Sequence, residues 1–461
     1  MGFLKHLVGV LQLLVLRTHA ISLDLTSSAS VKEAAATIAY GLVKFYTGNN
    51  TGDVPGNLPD PYYWWQAGAM FGSLLDYWSY TGDESYNNIT YQALWHQRGD
   101  DYDYMPDNQT RSLGNDDQGF WALTAMSAAE LNFTNPPDGE PGWLGLTQGV
   151  FNEYVTRWDE AKDTCGGGLR WQIFTFNNGY NYKNSISNGC FFNIASRLAR
   201  FTGNTTYEEW AEKIFDWELN VGYISDEWQV RDGAGNAGTA NCTEINGALF
   251  SYNAGIFLHG AAYMYNMTES DTWKLRVESL VDSIATTFFT GGIMWELPCE
   301  ATATSCNNDQ RMFKGFLSRW MAATAMLAPF VYDKIMPLLE ASATAAAEHC
   351  VSHTGTNFKG HPGTACTFSW FEDSAYEDTT GVGEQMNAMS VIMSTLVDEA
   401  KTPYTSATGG SSAGNIEGGT SDSSKYQYLK DITTADKVGA GILTALILGV
   451  LIAGLVFMNL D

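Results

Sequence analysis

Two adjacent aspartates, Asp116 and Asp117, are the residues of this chain whose types and spacing best suit catalysis. Carboxyl groups on adjacent Cα atoms can hold a gap of about 5 Å, the separation that retaining glycosidases place on either side of a sugar's anomeric carbon. Two like charges that close do not ionise easily together. One carboxylate would therefore act as a nucleophile while the other keeps its proton as a general acid.

Helix capping is the ordinary alternative for this pair. Asn115 is a good N-cap, so both aspartates should fall in the first turn of a helix, where the helix dipole stabilises a surface carboxylate by about 0.3–1 kcal/mol. The surrounding stretch, Gly114-Asn115-Asp116-Asp117-Gln118-Gly119-Phe120-Trp121, places small and aromatic residues around the two charges. That composition favours the wall of a cleft over a simple cap.

The elements that must position this pair are predicted to be helical hairpins. One turn pattern recurs near Tyr80, Phe201 and Met267, each followed six positions later by an aromatic residue, with a looser copy at Phe133. Each turn joins an apolar helix to a more amphipathic one. A hairpin can bury its apolar face only against its neighbours, so six hairpins favour an inner ring of helices enclosed by an outer ring.

The helices of the two rings differ in composition. The predicted inner helices are rich in Ala, Gly and aromatic residues and span 64–77, 116–131, 190–200, 251–264, 314–327 and 383–397. The predicted outer helices carry charged residues at helical spacing and include 31–46, 207–220, 271–288 and 337–350.

Loops of a different composition precede the inner helices. They are rich in Trp, Tyr, Asn, Gln, Arg and Asp and lie at 62–65, 165–172, 177–188, 231–246 and 295–296. These loops should gather at one end of the ring, together with Asp116 and Asp117. A sugar site needs flat aromatic faces for the C–H surfaces of the ring and polar side chains for its hydroxyl groups. A single aromatic residue is nevertheless more often part of a core.

The N-terminus has the pattern of a signal peptide over residues 1–20. Lys5 and His6 precede the apolar segment 7–16, and small residues predict cleavage after Ala20. Ten apolar residues are too few to cross a bilayer, which argues against a spanning helix. The chain is therefore expected to enter the secretory pathway.

The C-terminal region has the pattern of a signal for a GPI anchor. Residues 401–437 form a linker rich in Gly, Ser and Thr, and residues 438–461 form a hydrophobic tail. The alternative, a retained single-pass helix, is long enough but is followed by no basic segment. The catalytic domain is then 21–400. The candidate attachment residues are Gly418, Gly419, Ser421 and Ser423.

Sequons and cysteines agree with a secreted protein. Sequons for N-glycosylation occur at Asn49, Asn88, Asn108, Asn132, Asn204, Asn241 and Asn266. The seven cysteines imply disulfides with one thiol left over. We expect the local pairs Cys299–Cys306 and Cys350–Cys366, whereas the sequence does not choose among Cys165, Cys190 and Cys242.

The charge of the chain restricts its partners. Fifty-one acidic residues against 25 basic ones give a net charge of −26, which argues against nucleic acid and anionic lipid as ligands. A neutral ligand is the simplest interpretation, and solubility at an acidic extracellular pH is an equal alternative.

Five motifs together resemble glycoside hydrolase family 76, and specifically its fungal, GPI-anchored cell-wall branch. The resemblance covers 21–397 in the expected order. The motifs are Tyr63-Trp64-Trp65-Gln66-Ala67-Gly68, Gly114-Asn115-Asp116-Asp117-Gln118, Cys165-Gly166-Gly167-Gly168-Leu169-Arg170-Trp171-Gln172, Asn188-Gly189-Cys190-Phe191-Phe192 and Phe250-Ser251-Tyr252-Asn253-Ala254-Gly255.

The resemblance implies an all-α fold, an (α/α)6 barrel of six helical hairpins, and retaining activity on α-1,6-linked mannose. It implies that Asp116 is the nucleophile and Asp117 the general acid/base, with no metal or cofactor. The residues that we place in the substrate groove are Trp64, Trp65, Arg170, Trp171, Asp232 and Tyr252.

The fungal branch also implies a transglycosidase at the outer face of the plasma membrane or in the cell wall. Such a protein would cut α-1,6-mannan or the mannose core of a GPI glycan and pass it to wall glucan. The alternatives are a plain endo-α-1,6-mannanase, because water and sugar use the same base, and a catalytically silent mannan-binding protein. We expect the chain to act as a monomer.

Overall fold

A computed structural model of the chain describes residues 21–238, 240–300, 306–351, 358–371, 380–420 and 433–458. The predicted signal peptide and the candidate attachment residues Ser421 and Ser423 lie outside these ranges. The helices are α1 (Ser28–Val43), α2 (Trp64–Thr81), α3 (Asn87–His96), α4 (Asn115–Glu130), α5 (Trp143–Ala161), α6 (Ser185–Thr202), α7 (Thr205–Val221), α8 (Ser251–Thr268), α9 (Asp271–Thr287), α10 (Leu297–Glu300), α11 (Phe313–Leu327), α12 (Tyr332–Glu348), α13 (Val382–Ser394) and α14 (Thr434–Met458).

Twelve of these helices form two concentric rings. The inner helices α2, α4, α6, α8, α11 and α13 each pack on the next, and α13 packs on α2 to close the ring. The outer helices α1, α3, α5, α7, α9 and α12 cover the gaps. This is the predicted (α/α)6 barrel. Inner helices are buried nearly all round, as α4 shows, whereas the outer helix α7 buries one face.

The recurring turn in the sequence is a helix C-cap followed by an N-cap. Gly82 and Gly203 end α2 and α6 in the left-handed region, with φ of 78° and 70°, where glycine has no Cβ penalty. At the third turn Glu269 takes the same conformation at φ 51°. The next helix then starts on a capping side chain, as when Asn204 accepts from Thr206 N at the start of α7. The turn chemistry thus fixes each hairpin locally.

Two helices, α6 and α12, each begin five residues before the predicted start. Residue 337 was the predicted start of an outer helix, but α12 begins at Tyr332 and Pro337 lies inside it. Burial of Ile335 and Met336 extends the helix despite the missing N–H of the proline. Similarly, α6 begins before the predicted residue 190, because Asn184 is its N-cap and accepts from Ser187 N.

Short strands lie in the connections between the helices. They are β1 (Tyr182–Asn184), β2 (Gly233–Gly235), β3 (Ile245–Asn246), β4 (Phe289–Thr290), β5 (Ile293–Met294), β6 (Cys350–Val351) and β7 (Ala365–Cys366). Strands β1, β2 and β3 form an antiparallel sheet in which Asn184 pairs with Gly233 and Gly233 with Asn246. The sheet joins the loop before α6 to the loop before α8.

Three disulfides fix loops of the barrel. The predicted local pairs Cys299–Cys306 and Cys350–Cys366 are confirmed. The third bond joins Cys165 to Cys242 across 77 residues, and Cys190 is the buried free thiol. The long-range bond ties the 165–172 loop to the sheet.

The start of the predicted linker is part of the folded domain. Residues 401–420 run over the barrel surface and hydrogen bond to α4, α5 and α6, as with Tyr404 N to Glu130 O and Gly145 N to Ala413 O. Composition alone does not distinguish a glycine-rich segment that packs on the domain from one that is free. Within the described ranges, one segment, Thr434–Gly454 in α14, is long and apolar enough to cross a membrane.

Candidate active site

An open groove of about 590 Å³ lies at the end of the barrel where the inner helices begin. Its lining residues come from the loops and first turns before these helices and from β1. They are Tyr63, Trp64, Trp65, Gln109, Ser112, Leu113, Asp116, Asp117, Phe120, Trp171, Gln172, Tyr182, Asn184, Asp232, Phe250, Tyr252, Asn307, Asp309, Gln310 and Phe313. Asp116 and Asp117 thus share one groove with aromatic and acidic walls.

The aspartate pair lies in the first turn of α4, one position later than an Asn115 cap would place it. Gly114 is the N-cap, and Asn115 is the first helical residue. Gly114 N donates to Asp117 Oδ2 at 2.7 Å, and Asp117 N donates to Asp116 Oδ1 at 3.1 Å. Asp117 therefore caps the helix and also faces the groove. A Cβ on Gly114 would lie 2.4 Å from Asp116 Oδ1, so this position favours glycine.

A buried polar network fixes this turn from behind. Asn115 donates to Arg170 O at 2.8 Å and accepts from Arg157 Nη1 at 2.8 Å. The Arg157 guanidinium also pairs with Glu153 at 2.7 Å, and Glu153 accepts from Gln118 Nε2 at 2.6 Å. Each of these polar groups satisfies another, which holds the backbone of the first turn of α4 in one position.

Both aspartates have a raised pKa. Burial raises the pKa of Asp116 well above its usual range, and the charge of Asp117 raises it further. Burial also raises the pKa of Asp117 to about 7, against the Gly114 N–H bond, which favours the anion. Two adjacent carboxyls do not ionise easily together, so one proton held between them is the favoured state, and acid/base and nucleophilic chemistry needs that state.

The predicted aromatic residues form the walls of the groove. Trp64, Trp65, Trp171 and Tyr252 all line it. Trp64 and Trp65 are about nine-tenths buried, whereas Trp171 is 37% exposed and offers a ring face. Tyr252 stacks on Phe313 with ring centroids 3.7 Å apart, which fixes its orientation.

Arg170 does not line the groove, contrary to the prediction. It pairs with Lys183 in an isolated antiparallel bridge, and neighbouring residues in extended backbone point to opposite sides. Trp171 therefore faces the groove, while the Arg170 guanidinium lies over the Tyr180 ring, 4.4 Å from its centroid. Its carbonyl still positions Asn115, so Arg170 contributes through its backbone.

Two further carboxylates face the groove. Asp232, which was predicted, accepts from Tyr182 OH at 2.6 Å and from Asn246 Nδ2 at 3.1 Å. Asp309, which the sequence analysis missed, has a buried Oδ1 without a hydrogen-bond partner, and its charge raises the pKa of both Asp116 and Asp117. It precedes inner helix α11, so its position before an inner helix was a usable signal.

The sequence analysis did not single out several other residues that line the groove, among them Tyr63, Tyr182, Asn184, Gln310 and Phe313. Three of these lie just before or at the start of an inner helix, and the other two alternate along strand β1. Four of the lining residues are carboxylates, and none is Lys or Arg among the residues that the structure describes. The groove is thus suited to a ligand with many hydroxyl groups and tolerates, or favours, a positive charge.

Comparison with known proteins gives a consistent family. A family model described as Glycosyl hydrolase family 76 matches residues 30–407. Mannan endo-1,6-alpha-mannosidase DCW1 of Saccharomyces cerevisiae is 45% identical over 430 residues, which cover 93% of this chain and 93% of that protein.

Solved structures share the architecture. The crystal structure of Dfg5 from Chaetomium thermophilum in complex with glucosamine is 46% identical, with a TM-score of 0.81, and the match covers 88% of this chain and 99% of that one. The GH76A alpha-1,6-mannanase from Salegentibacter sp. HEL1_6 shares the fold at 19% identity and a TM-score of 0.61, over 79% of this chain and 98% of that one.

Proposed function

The chain belongs to glycosyl hydrolase family 76, and from this membership we propose that it is a retaining glycosidase that cleaves α-1,6-linked mannose and transfers the cleaved glycan to a sugar acceptor. The observation that carries the proposal is the partly buried pair Asp116 and Asp117 on an open groove with aromatic walls. A mannan endo-1,6-alpha-mannosidase among the relatives supports the substrate class.

The proposed reaction is a double displacement. The Asp116 carboxylate attacks the anomeric carbon and forms a glycosyl ester, while Asp117 gives its proton to the leaving glycosidic oxygen. Asp117, now an anion, then removes a proton from the acceptor hydroxyl, which attacks the anomeric carbon and releases Asp116. Each carboxyl returns to its starting state.

For Asp117 to act as the acid and Asp116 as the nucleophile, the shared proton must be on Asp117 when the glycosidic bond breaks. In the free site the Gly114 N–H favours the anion on Asp117 instead. A glycosidic oxygen bound beside Asp117 is a hydrogen-bond acceptor and therefore favours its protonated form. We expect substrate binding to move the proton from Asp116 to Asp117, which leaves Asp116 as the anionic nucleophile.

The finer proposal for the donor is a GPI-core glycan. That glycan carries an unacetylated glucosamine, whose ammonium group would be attracted to a groove with four carboxylates. The glucosamine in the structure of the Chaetomium relative supports this choice. Neutral α-1,6-mannan fits the same aromatic walls, and an N-acetylated donor with the same chain length is the control that separates the two.

The acceptor in this proposal is wall glucan rather than water. An enzyme anchored at the outer face of the plasma membrane would meet both GPI-linked donors and wall polymers. The predicted signal peptide and the apolar helix α14 agree with that location. The same intermediate would give hydrolysis if water reached it first, so the acceptor has to be tested directly.

The test is a product analysis. A labelled α-1,6-mannan oligosaccharide and a glucan acceptor are incubated with the protein and with Asp116→Asn and Asp117→Asn, and products are identified by mass. We expect mannosyl–glucan adducts that are absent in both variants, with unchanged circular dichroism. Free reducing ends alone would support the plain endo-α-1,6-mannanase. Binding without any product in the unaltered protein, both on this donor and on a GPI-core glycan, would overturn the enzyme proposal in favour of a silent mannan-binding protein.

A further inference from the structure

Residues 401–419, which we call the strap, follow a defined path over the barrel. The strap starts at the barrel end opposite the groove, where Tyr404 N donates to Glu130 O at 2.8 Å and Ser406 N donates to Phe201 O at 2.9 Å. Arg200 Nη1 donates to Pro403 O at 3.0 Å. These contacts join the strap to the last turns of α4 and α6.

The strap then runs along one face of the outer helix α5, from its start toward its middle. Leu144 N donates to Ser412 Oγ at 3.0 Å, and Gln148 Oε1 accepts from Asn415 N at 2.7 Å. Asn152 Nδ2 donates to Ile416 O at 2.9 Å and to Gly418 O at 2.8 Å. The three α5 positions are four residues apart and share a face, so the strap follows α5 for about 12 Å.

Glycines allow this close approach. A Cβ on Gly142 would lie 2.5 Å from Ala413 N, and one on Gly145 would lie 3.1 Å from Asn415 N. On the strap itself, Gly419 has a φ of 71° and a Cβ there would lie 2.3 Å from Gly149 O. Both surfaces are thus shaped for each other, and the Gly-rich composition serves packing.

A docked strap changes how an anchor would hold the barrel. A free glycine-rich chain of this length has an r.m.s. reach of about 20–25 Å and would let the domain tumble. In this structure the candidate attachment residues Gly418 and Gly419 lie against the middle of α5. The net charge of −26 gives no attraction to an anionic lipid surface that would orient the domain otherwise.

We propose that the strap fixes the barrel on its side above the lipid surface, with the α5 flank nearest the membrane and α12, on the opposite side of the ring, farthest from it. Because the groove opens at an end of the barrel, it then faces along the membrane plane. This orientation suits donor glycans attached to the same lipid surface, and it rests on the proposed GPI anchoring.

The experiment measures orientation in the full anchored chain. The exposed residues Asp159 on α5 and Glu340 on α12 are each replaced, as Asp159→Cys and Glu340→Cys, labelled with a fluorophore, and reconstituted in vesicles that carry a lipid-bound quencher. We expect stronger quenching of the α5 label. Equal quenching, or stronger quenching of the α12 label, would overturn the proposal.

A variant that releases the strap from α5 tests whether the strap causes this orientation. Gly142→Leu places a side chain where Ala413 lies, and Asn152→Ala removes the hydrogen bonds to Ile416 O and Gly418 O. Neither residue lines the groove, and Thr156→Leu, on the next exposed turn of α5, is the matched control. We expect the releasing variant to lose the difference in quenching and the control to keep it. Retention of the difference in the releasing variant would assign the orientation to something other than the strap.

The experiment also shows whether the proposed GPI anchoring itself fails. Protein that does not sediment with the vesicles would overturn the anchoring and, with it, this orientation. Anchored protein with equal quenching would overturn the strap proposal alone. Catalysis is measured in the same preparations on a soluble α-1,6-mannan oligosaccharide, so loss of the proposed activity is distinguished from loss of orientation.

Discussion

At the scale of single residues, the site depends on two aspartates that differ in their surroundings. Asp117 accepts a backbone N–H bond from Gly114, whereas Asp116 accepts from the N–H of Asp117. The capping interpretation and the proposed catalytic role are therefore compatible, because the carboxylate of Asp117 caps the helix and also lines the groove. Their separate roles can be tested with substrates that differ in leaving group.

A substrate with a good leaving group should distinguish the two roles. On an aryl α-1,6-mannobioside the leaving oxygen needs little protonation, so Asp117→Ala should keep most of the rate of glycosyl-enzyme formation. Asp116→Ala should lose it, and on mannan both variants should lose about 10²–10⁴-fold or more. The measurement is the release of the aryl group in single-turnover kinetics. The opposite pattern would exchange the two roles.

The charge of Asp309 should set the pH range of activity. A neighbouring negative charge raises a carboxyl pKa, so Asp309→Asn should lower the pKa of both Asp116 and Asp117. Activity needs one carboxyl charged and the other protonated, so both limbs of the kcat/KM profile should move to lower pH, by about 0.5–1 unit. Glu340→Gln, on the far outer helix, is the control and should leave the profile unchanged.

At the scale of elements, the first turn of α4 is held by the network that α5 supplies. The ion pair between Arg157 and Glu153 is nearly fully buried, and Asn115 and Gln118 complete it. A buried pair of this kind contributes less to net stability than to a single, defined geometry. The outer helix α5 thus positions the turn that carries Asp116 and Asp117.

Breaking this network should lower the stability of the fold. Arg157→Met leaves the Glu153 carboxylate buried without its main charge partner, which should lower the free energy of unfolding by about 3–5 kcal/mol. Lys334→Met breaks an exposed pair with Asp282 and should change it by less than about 1 kcal/mol. Denaturant unfolding of both variants checks this. An equal, small effect in the two would show that the network does not stabilise the turn.

At the scale of the whole molecule, the folded unit extends beyond the predicted boundary at residue 400. The strap bonds to three helices and covers part of the α5 surface, with Ser412 about nine-tenths buried. The long-range disulfide between Cys165 and Cys242 likewise joins distant segments around the groove. The barrel is therefore closed by contacts that are far apart in sequence.

A chain that ends at residue 400 should be less stable than one that ends at residue 420. Removal of the strap leaves Leu144 N and Gly145 N, both near the start of α5, without their partners. We expect a melting temperature lower by a few degrees in thermal unfolding followed by circular dichroism. Identical melting temperatures would show that the strap contributes no net stability to the barrel.

The sequence by itself determined the features that depend on local chemistry. Helical periodicity and the cap at each turn are properties of a few neighbouring residues, so the six hairpins were predictable. The adjacent pair Asp116 and Asp117 was visible for the same reason. The two local disulfides also followed from proximity along the chain.

The tertiary structure alone decided which distant groups meet. Trp171 faces the groove and Arg170 faces away from it because Arg170 pairs with Lys183. The approach of Asp309 to Asp116 and Asp117 depends on how the ring of inner helices closes. The docking of the strap depends on a glycine-lined face of α5. Each is a contact between segments whose separation in sequence is large, and local propensity carries no information about such contacts because packing and burial set their energy.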